Sequence, residues 1–290
     1  MLNTDTAYLG LLGNPLSHSH SPLMHNAVFE KLGVNALYFP LEIAAGMLGQ
    51  AILGLQALGF RGVNVTIPFK EAVIPFLDDL SPEAHLYQAV NVVAFAGGKI
   101  VGHNTDGPGF ILALDEAGVT NWDHCLLLGA GGAARSISLA LAQKGARQMT
   151  ILDIDEAKAG SLAEHVSHHT SVTCEAKLSN AANWAQSGGQ ADLIVNCTPM
   201  GMYPKVGESP VESLDEVSDQ AVVCDIVYNP VQTKLLAMAE QRGLTTVNGL
   251  TMFVYQGALT LKILLGLDAP VEFMKDVVRR ELQPSGSNSD

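Results

Sequence analysis

Apolar positions along the chain fall into two alternating kinds of stretch. Short runs such as YLGLLG (8–13), LYFPLE (37–42) and GVNVTI (62–67) have the length of strands. Between them, PLMHNAVFEKLG (22–33) and AGMLGQAILGLQALG (45–59) read as helices, each running to a glycine. Such alternation predicts βαβ units and a parallel sheet. AVNVVAFAGGKIVGHN (89–104) differs: two apolar runs flank Gly97-Gly98, which predicts a β-hairpin.

The alternation restarts after NTDG (104–107). GPGFILALDEAG (107–118) reads as a helix, HCLLLGAGGAARSISLALAQKG (124–145) as strand, glycine turn and helix, and RQMTILDID (147–155) as the next strand. ADLIVNCTP (191–199) and AVVCDIVYNP (221–230) read as buried strands, each closed by a proline. A domain boundary is therefore expected near Asp106. TMFVYQGALTLKILLG (251–266) reads as a long helix suited to pack back on the first domain, so the chain is expected to return near Asn248. The expected organisation is a first domain of residues 1–105 completed by 249–283, a second of 106–248, and a disordered tail at 284–290.

Composition narrows the function. The 290 residues are 48% hydrophobic and 16% charged, as in a soluble protein with a substantial core, and the net charge is −13. That balance argues against nucleic acid, which needs basic patches, but not against a small anion at a local site. No run approaches a membrane span, and MLNTDTAYLGLLG lacks the basic start of a secretory signal. Cys125, Cys174, Cys197 and Cys224 form no CxxC pair and read as buried thiols of a reducing cytoplasm.

Candidate chemistry begins at LLLGAGGAAR, where Gly129, Gly131 and Ala134 stand in the order GxGxxA between a strand and a helix. The first glycine allows a tight turn, the second lets backbone approach a pyrophosphate, and the small third residue lets helix and strand pack closely. Free N–H groups at the helix start would then hold phosphates. The following strand reaches Asp153, placed to accept from a ribose 2′-OH and to repel a 2′-phosphate, and the first cation beyond it is Lys158. This favours NAD over NADP; the alternative is that Asp153 or Asp155 merely caps the next helix.

In the first domain, GNPLSHSHSP places Ser19 and Ser21 before Pro22. Ser21 is expected as an N-cap, and the same geometry builds an anion site from two hydroxyls and free N–H groups. His18 and His20 read as turn residues, and no metal site is expected. In NVTIPFK (64–70), Thr66 can donate to a polar ligand, and Pro68 is expected to start a helix. Lys70 would then sit in its first turn, where the macrodipole disfavours a cation. A lysine kept in such a place can serve as proton donor or acceptor; the plainer alternative is a surface lysine paired with an acid such as Glu71. Asp106 in HNTDG either caps the next helix or faces a cleft between domains, where it can hold Lys70. Asn91 is polar within an apolar run and needs a partner or a ligand there.

Taken together, GNPLSHSHSP, NVTIPFK, AVN, NTDG, GAGGAAR, NCTPMGM, DIVYNP and YQGA resemble, in order, the shikimate dehydrogenase family with its quinate/shikimate branch, from about Tyr8 to Leu282. The resemblance implies a split N-terminal α/β substrate domain, completed by C-terminal helices, and a Rossmann-type nucleotide-binding domain with a parallel sheet. It implies Lys70 and Asp106 as the catalytic pair. Ser19, Ser21, Thr66, Asn91 and Gln256 would bind the substrate's carboxylate and hydroxyls, with Tyr228 near that carboxylate. Gly129, Gly131, Gly132 and Ala133 would form the pyrophosphate turn, and Thr198, Met200 and Gly201 the loop beside the nicotinamide. Two departures stand out. Val92 follows AVN where members commonly have threonine, and LDID replaces the Asn-Arg-Thr of NADP-using members. The missing arginine points to NAD, with NADP as the family alternative.

The implied reaction is reversible hydride transfer between a nicotinamide and ring C3 of 3-dehydroshikimate, with Lys70 supplying the proton. A quinate-preferring, NAD-using enzyme is the nearest rival, and a non-catalytic dinucleotide sensor a remote one. The expected partner is a small anionic hydroxy acid, shikimate or quinate; neither nucleic acid nor membrane is expected, and a homodimer is compatible with this reading.

Overall fold

The computed structural model describes residues 3–283, so the tail expected at 284–290 lies outside the described residues. The chain runs β1 (Ala7–Gly13), α1 (Ser21–Leu32), β2 (Ala36–Glu42), α2 (Leu48–Ala57), β3 (Gly62–Val65), β4 (Asp79–Leu80), α3 (Pro82–Tyr87), β5 (Val92–Ala96) and β6 (Lys99–His103). It continues α4 (Asp106–Glu116), β7 (His124–Leu128), α5 (Gly132–Gln143), β8 (Gln148–Asp153), α6 (Glu156–His169), β9 (Thr173–Leu178) and α7 (Ala181–Gly188). Then come β10 (Leu193–Asn196), β11 (Val222–Asp225), α8 (Lys234–Gln241), β12 (Thr245–Val247), α9 (Gly249–Leu265) and α10 (Val271–Leu282). Of the described residues, 3–105 and 254–283 form one compact unit, and 106–253 the other.

In the first unit six strands order as β2-β1-β3-β5-β6-β4. The sheet is mixed: strand–helix alternation pointed to parallel pairing and residues 89–104 to a hairpin, and it holds both. β1 pairs in parallel with β2 and β3, and β4 with β6, but β5 runs antiparallel to both β3 and β6. The expected Gly97-Gly98 hairpin is present, with two positive φ angles (58° and 78°), and turns β5 back into the antiparallel β6. Leu12, Ile52, Val63, Val65, Phe69, Val73 and Val93 pack into its core.

The second unit is a parallel sheet in the order β12-β11-β10-β7-β8-β9. Its central strands are apolar along their length because helices cover both faces: residues 125–128 and 193–196 are all buried. From β7 the chain winds outward to β9, then restarts at β10 and winds the other way to β12, so the order reverses between β7 and β10. β10 stops at Asn196 and β11 at Asp225, short of the prolines expected to close them. The reason is local: each terminal side chain accepts from backbone two residues on, Thr198 N–H (3.0 Å) and Val227 N–H (3.0 Å), and so turns the chain.

All four cysteines are free thiols, with Cys125 and Cys224 buried in β7 and β11. Burial raises the pKa of each, that of Cys174 to about 12. Among the described residues no helix is long and apolar enough to cross a membrane, and no group of three or more His, Cys, Asp or Glu is placed for a metal ion.

Candidate active site

Sheet register gathers the first unit's candidates at one edge. Leu12 of β1 lies opposite Val65 of β3, Asn64 opposite Val92 at the start of β5, and Val92 opposite His103 at the end of β6. The loop carrying Ser19, the turn with Thr66 and Lys70, the residue Asn91, and Asn104-Thr105 therefore leave the sheet at the same end. Reversal of β5 is what lets a strand start share an edge with three strand ends.

Lys70 does not stand on a helix. Residues 67–73 form turns followed by a single 3-10 turn at Ile74–Phe76, so the expected conflict with a macrodipole is absent. Pro75 has no N–H to donate back to Glu71, so a helix started at Pro68 would lose a bond within its second turn. The Lys70 carbonyl instead accepts from Val90 N–H (2.8 Å), tying this turn to the segment before Asn91. Ser21 is not the N-cap either: it is the first residue of α1, the cap position falls on His20 with no side-chain bond, and Ser19 Oγ accepts from Ser21 N–H (3.3 Å).

Asn91 is buried, and its partners are explicit. Its Oδ1 accepts from Thr105 N–H (2.7 Å); its Nδ2 donates to Thr105 Oγ1 (2.8 Å) and, at 3.5 Å, lies near Gln256 Oε1. The amide is thus oriented by Thr105, and the first unit brings Asn91 and Gln256 together. Behind them runs a buried polar chain that the sequence did not suggest. Tyr38 Oη donates to Asn64 Oδ1 (2.8 Å), and Asn64 Nδ2 donates to the Asn91 carbonyl (3.1 Å) and to Thr260 Oγ1 (3.0 Å). His25 stacks on Tyr38 with ring centroids 4.4 Å apart, and burial lowers its pKa to about 3, so it is neutral.

In the second unit the glycine turn leaves β7 at the reversal point of the sheet, where open α/β sheets bind ligands. Gly129 has φ 97°, and a Cβ there would lie 2.9 Å from Thr198 Cγ2, so only glycine fits. A Cβ at Gly131 would meet no protein atom within 4 Å, leaving room for an approaching ligand. α5 begins at Gly132 with no side-chain cap, so the first-turn N–H groups of Gly132 and Ala133 are not covered by a capping side chain. These features fit a pyrophosphate.

Asp153 has a structural task that the sequence did not suggest. Its Oδ2 accepts from Ala130 N–H (2.7 Å), and its Oδ1 from Asp155 N–H (2.9 Å), so it braces the glycine turn. The capping alternative holds for Asp155, which accepts from Ala157 and Lys158 N–H (both 3.2 Å). Asp106 is the first residue of α4 and is buried. Thr198, Met200 and Gly201 form a tight turn after β10: Thr198 Oγ1 accepts from Met200 N–H (3.2 Å), and Gly201 has φ 87°. Tyr228 stacks on Phe253, centroids 4.1 Å apart. Asn196, Asp225 and Thr233, which hold this turn from beneath, were not singled out by sequence reasoning. The signal was present in Asn196 and Asp225, each polar at the end of an apolar strand run.

Comparison with known proteins finds relatives over nearly the whole length. Residues 11–93 match the model of the shikimate dehydrogenase substrate binding domain, and residues 249–279 that of the shikimate 5'-dehydrogenase C-terminal domain. A protein of Syntrophomonas wolfei named shikimate dehydrogenase (NADP(+)) is 47% identical over 282 residues, covering 97% of each chain. The crystal structure of shikimate 5-dehydrogenase from Listeria monocytogenes, in complex with shikimate and NAD, superposes with a TM-score of 0.88 at 34% identity, over 96% of this chain and 98% of that one. Quinate dehydrogenase from Corynebacterium glutamicum, in complex with NAD, gives 0.86 at 30% identity, over 94% and 98%.

Proposed function

The chain belongs to the shikimate dehydrogenase family, and from that premise we propose that it interconverts 3-dehydroshikimate and shikimate with a nicotinamide dinucleotide. The observation that carries this reading is the 47% identity sustained over 97% of both chains. Residues 1–105 with 249–283 are assigned to substrate, and 106–248 to the dinucleotide.

When bound, the nicotinamide supplies the hydride to ring C3 and takes it back in the reverse direction. Lys70 gives the proton to the C3 oxygen in reduction and removes it in oxidation. Asp106 accepts from the neighbouring hydroxyl. Ser19 and Ser21 hold the carboxylate, with Tyr228 beside it, while Thr66, Asn91 and Gln256 take the remaining hydroxyls. Such anchoring fixes the ring in a reactive pose and can contribute up to roughly 7–11 kcal/mol in the best cases. Backbone of Gly129, Gly131, Gly132 and Ala133 holds the pyrophosphate. Thr198, Met200 and Gly201 lie beside the nicotinamide.

For the cofactor, two supports point in opposite directions. The Syntrophomonas relative is named for NADP(+), whereas the charge around Asp153 favours NAD. Asp153 and Asp155 flank the exposed Ile154, and Lys158 is paired with Asp155 (3.7 Å). A 2′-phosphate is repelled there, while a 2′-OH can donate, so the reading is NAD preferred. Asp153, with the likeness to a quinate dehydrogenase bound to NAD, keeps quinate as the second substrate reading. One assay crosses shikimate and quinate with NAD and NADP and follows reduction of the nicotinamide. Highest kcat/KM for shikimate with NAD is the expected result. A clear NADP preference removes the role given to Asp153, a quinate preference moves the chain to the second reading, and no reduction with any pair overturns the enzyme.

A further inference from the structure

The turn assigned to the nicotinamide is not held by its own residues alone. β10 and β11 are parallel neighbours with Asn196 directly opposite Asp225. Asn196, Asp225 and Thr233 are 0%, 2% and 1% exposed, so this is a dry polar cluster where each hydrogen bond counts. Asn196 Oδ1 accepts from Thr198 N–H (3.0 Å) and Thr198 Oγ1 (2.7 Å). Asn196 Nδ2 donates to the Met200 carbonyl (3.3 Å) and to Asp225 Oδ1 (3.0 Å). Asp225 Oδ1 also accepts from Val227 N–H (3.0 Å), and Oδ2 from Thr233 Oγ1 (2.7 Å).

A carboxamide has nearly the same shape with its oxygen and nitrogen exchanged. Rotated by half a turn, Asn196 would aim N–H at the Thr198 N–H and oxygen at the Met200 carbonyl, and the turn would lose its bonds. Asp225 Oδ1 is an acceptor, and it reinforces the same orientation from outside the turn. Thr198 in turn packs its methyl against Gly129, so this orientation extends to the edge of the glycine turn.

We propose that Asp225 is a positioning residue for the reaction: through Asn196 it sets the orientation of the Thr198–Gly201 turn and hence the seat of the nicotinamide. The inference rests on the placement of that turn given under Proposed function. It separates two properties that a plain fold-stabilising carboxylate would move together, because the pyrophosphate is held by the glycine turn and the nicotinamide by the Thr198 turn.

The test measures kcat with shikimate, thermal stability, and the dissociation constant of ADP-ribose (or its 2′-phosphate, if the wild type prefers NADP), which lacks the nicotinamide. Asp225→Ala is expected to lower kcat about 10-fold or more while ADP-ribose binding stays within about 2-fold, the signature of an interaction expressed mainly in the transition state. Asp225→Asn is expected to restore kcat. Val227 N–H selects its oxygen for the Asn196 side, and Thr233 can turn its hydroxyl to accept from the new amide. If Asp225→Ala does not fold, Asp225→Ser carries the same comparison, since its shorter side chain stops short of Asn196. Gly201→Ala distorts the turn while leaving the Asp225 carboxylate in place, since its φ is 87° and an added Cβ would lie 3.2 Å from the Glu208 carbonyl and 3.6 Å from Thr233 Cβ. If Gly201→Ala lowers kcat but the folded Asp225 variants do not, the positioning role is overturned and the placement of the turn survives. If neither lowers kcat, the placement itself is wrong. Loss of ADP-ribose affinity in step with kcat reduces Asp225 to a structural carboxylate and also overturns the proposal.

Discussion

The two units solve the same problem, gathering polar groups at one end of an apolar sheet, in different ways. In the second, all strands are parallel, so every strand end faces the same way: Gly129 and Thr198 lie just past β7 and β10, and Asp153 and Asp225 end β8 and β11. In the first, the sheet is mixed, and the shared edge depends on one reversed strand that brings Asn91 beside the ends of β3 and β6. The interiors differ as well. The first unit buries neutral polar groups in series, from His25 through Tyr38 and Asn64 to Thr260; the second buries a carboxylate, Asp225, under three donors. A parallel sheet comes with a binding edge, whereas a mixed sheet must build one from long-range contacts.

That contrast can be broken first at the chemistry. Lys70→Ala should lower kcat at least about 100-fold, the usual floor for loss of a general acid–base group. ADP-ribose affinity should stay unchanged, because Lys70 belongs to the first unit. A variant with near wild-type kcat would move the proton transfer out of that unit. The reciprocal test is Gly129→Ala. A left-handed residue with a side chain costs about 1–2 kcal/mol, and the Thr198 methyl stands in the way. Dinucleotide binding should weaken about 10-fold, with shikimate binding within about 2-fold by isothermal titration.

A third test uses proton linkage, where the units should carry opposite signs. Burial lowers the His25 pKa from 6.5 to about 3, so its contribution to stability is present above 6.5 and is lost as pH falls toward 3. Burial raises the Asp225 pKa from 3.8 to about 6, against the hydrogen bonds of Thr233, Val227 and Asn196. Its contribution is present below 3.8 and is lost as pH rises through 6. Asp225→Asn should therefore steepen the fall of Tm on acidification between about pH 6 and 4, and His25→Leu should make it shallower. The expected size is about 2–4 °C for each kcal/mol. Parallel profiles in both variants would erase the contrast. The smallest expected effect is at Asp153→Asn, where removing one partly buried charge should narrow NAD-over-NADP discrimination about 2- to 5-fold.

The second unit was far easier to read from the sequence than the first. A glycine turn between an apolar strand and a helix is written in ten consecutive residues. Its geometry follows from steric rules that act locally, so Gly129, Gly131 and the strand reaching Asp153 were all legible. The brace from Asp153 to Ala130 was not, because it joins positions 23 apart. In the first unit the local signals misled twice. Pro68 and Pro22 each look like helix starters, yet only Pro22 lies in a helix, and Ser21 is the first residue of α1 instead of its cap. The bond between Asn64 and Thr260 spans 196 positions, which no periodicity encodes. Asn91 was found only because a lone amide in an apolar run demands a partner, and the partners proved to be Thr105 and Gln256.

The state of the four thiols has a practical side. Alkylation needs the nucleophilic thiolate, and burial raises the pKa of all four cysteines, so the wild-type chain should react only slowly with maleimides. Ile154, 87% exposed between the two carboxylates after β8, then offers a clean attachment point. A fluorophore on Ile154→Cys would sit next to Asp153, which braces the glycine turn, and convert arrival of a dinucleotide into light over a low background from the native sulfurs.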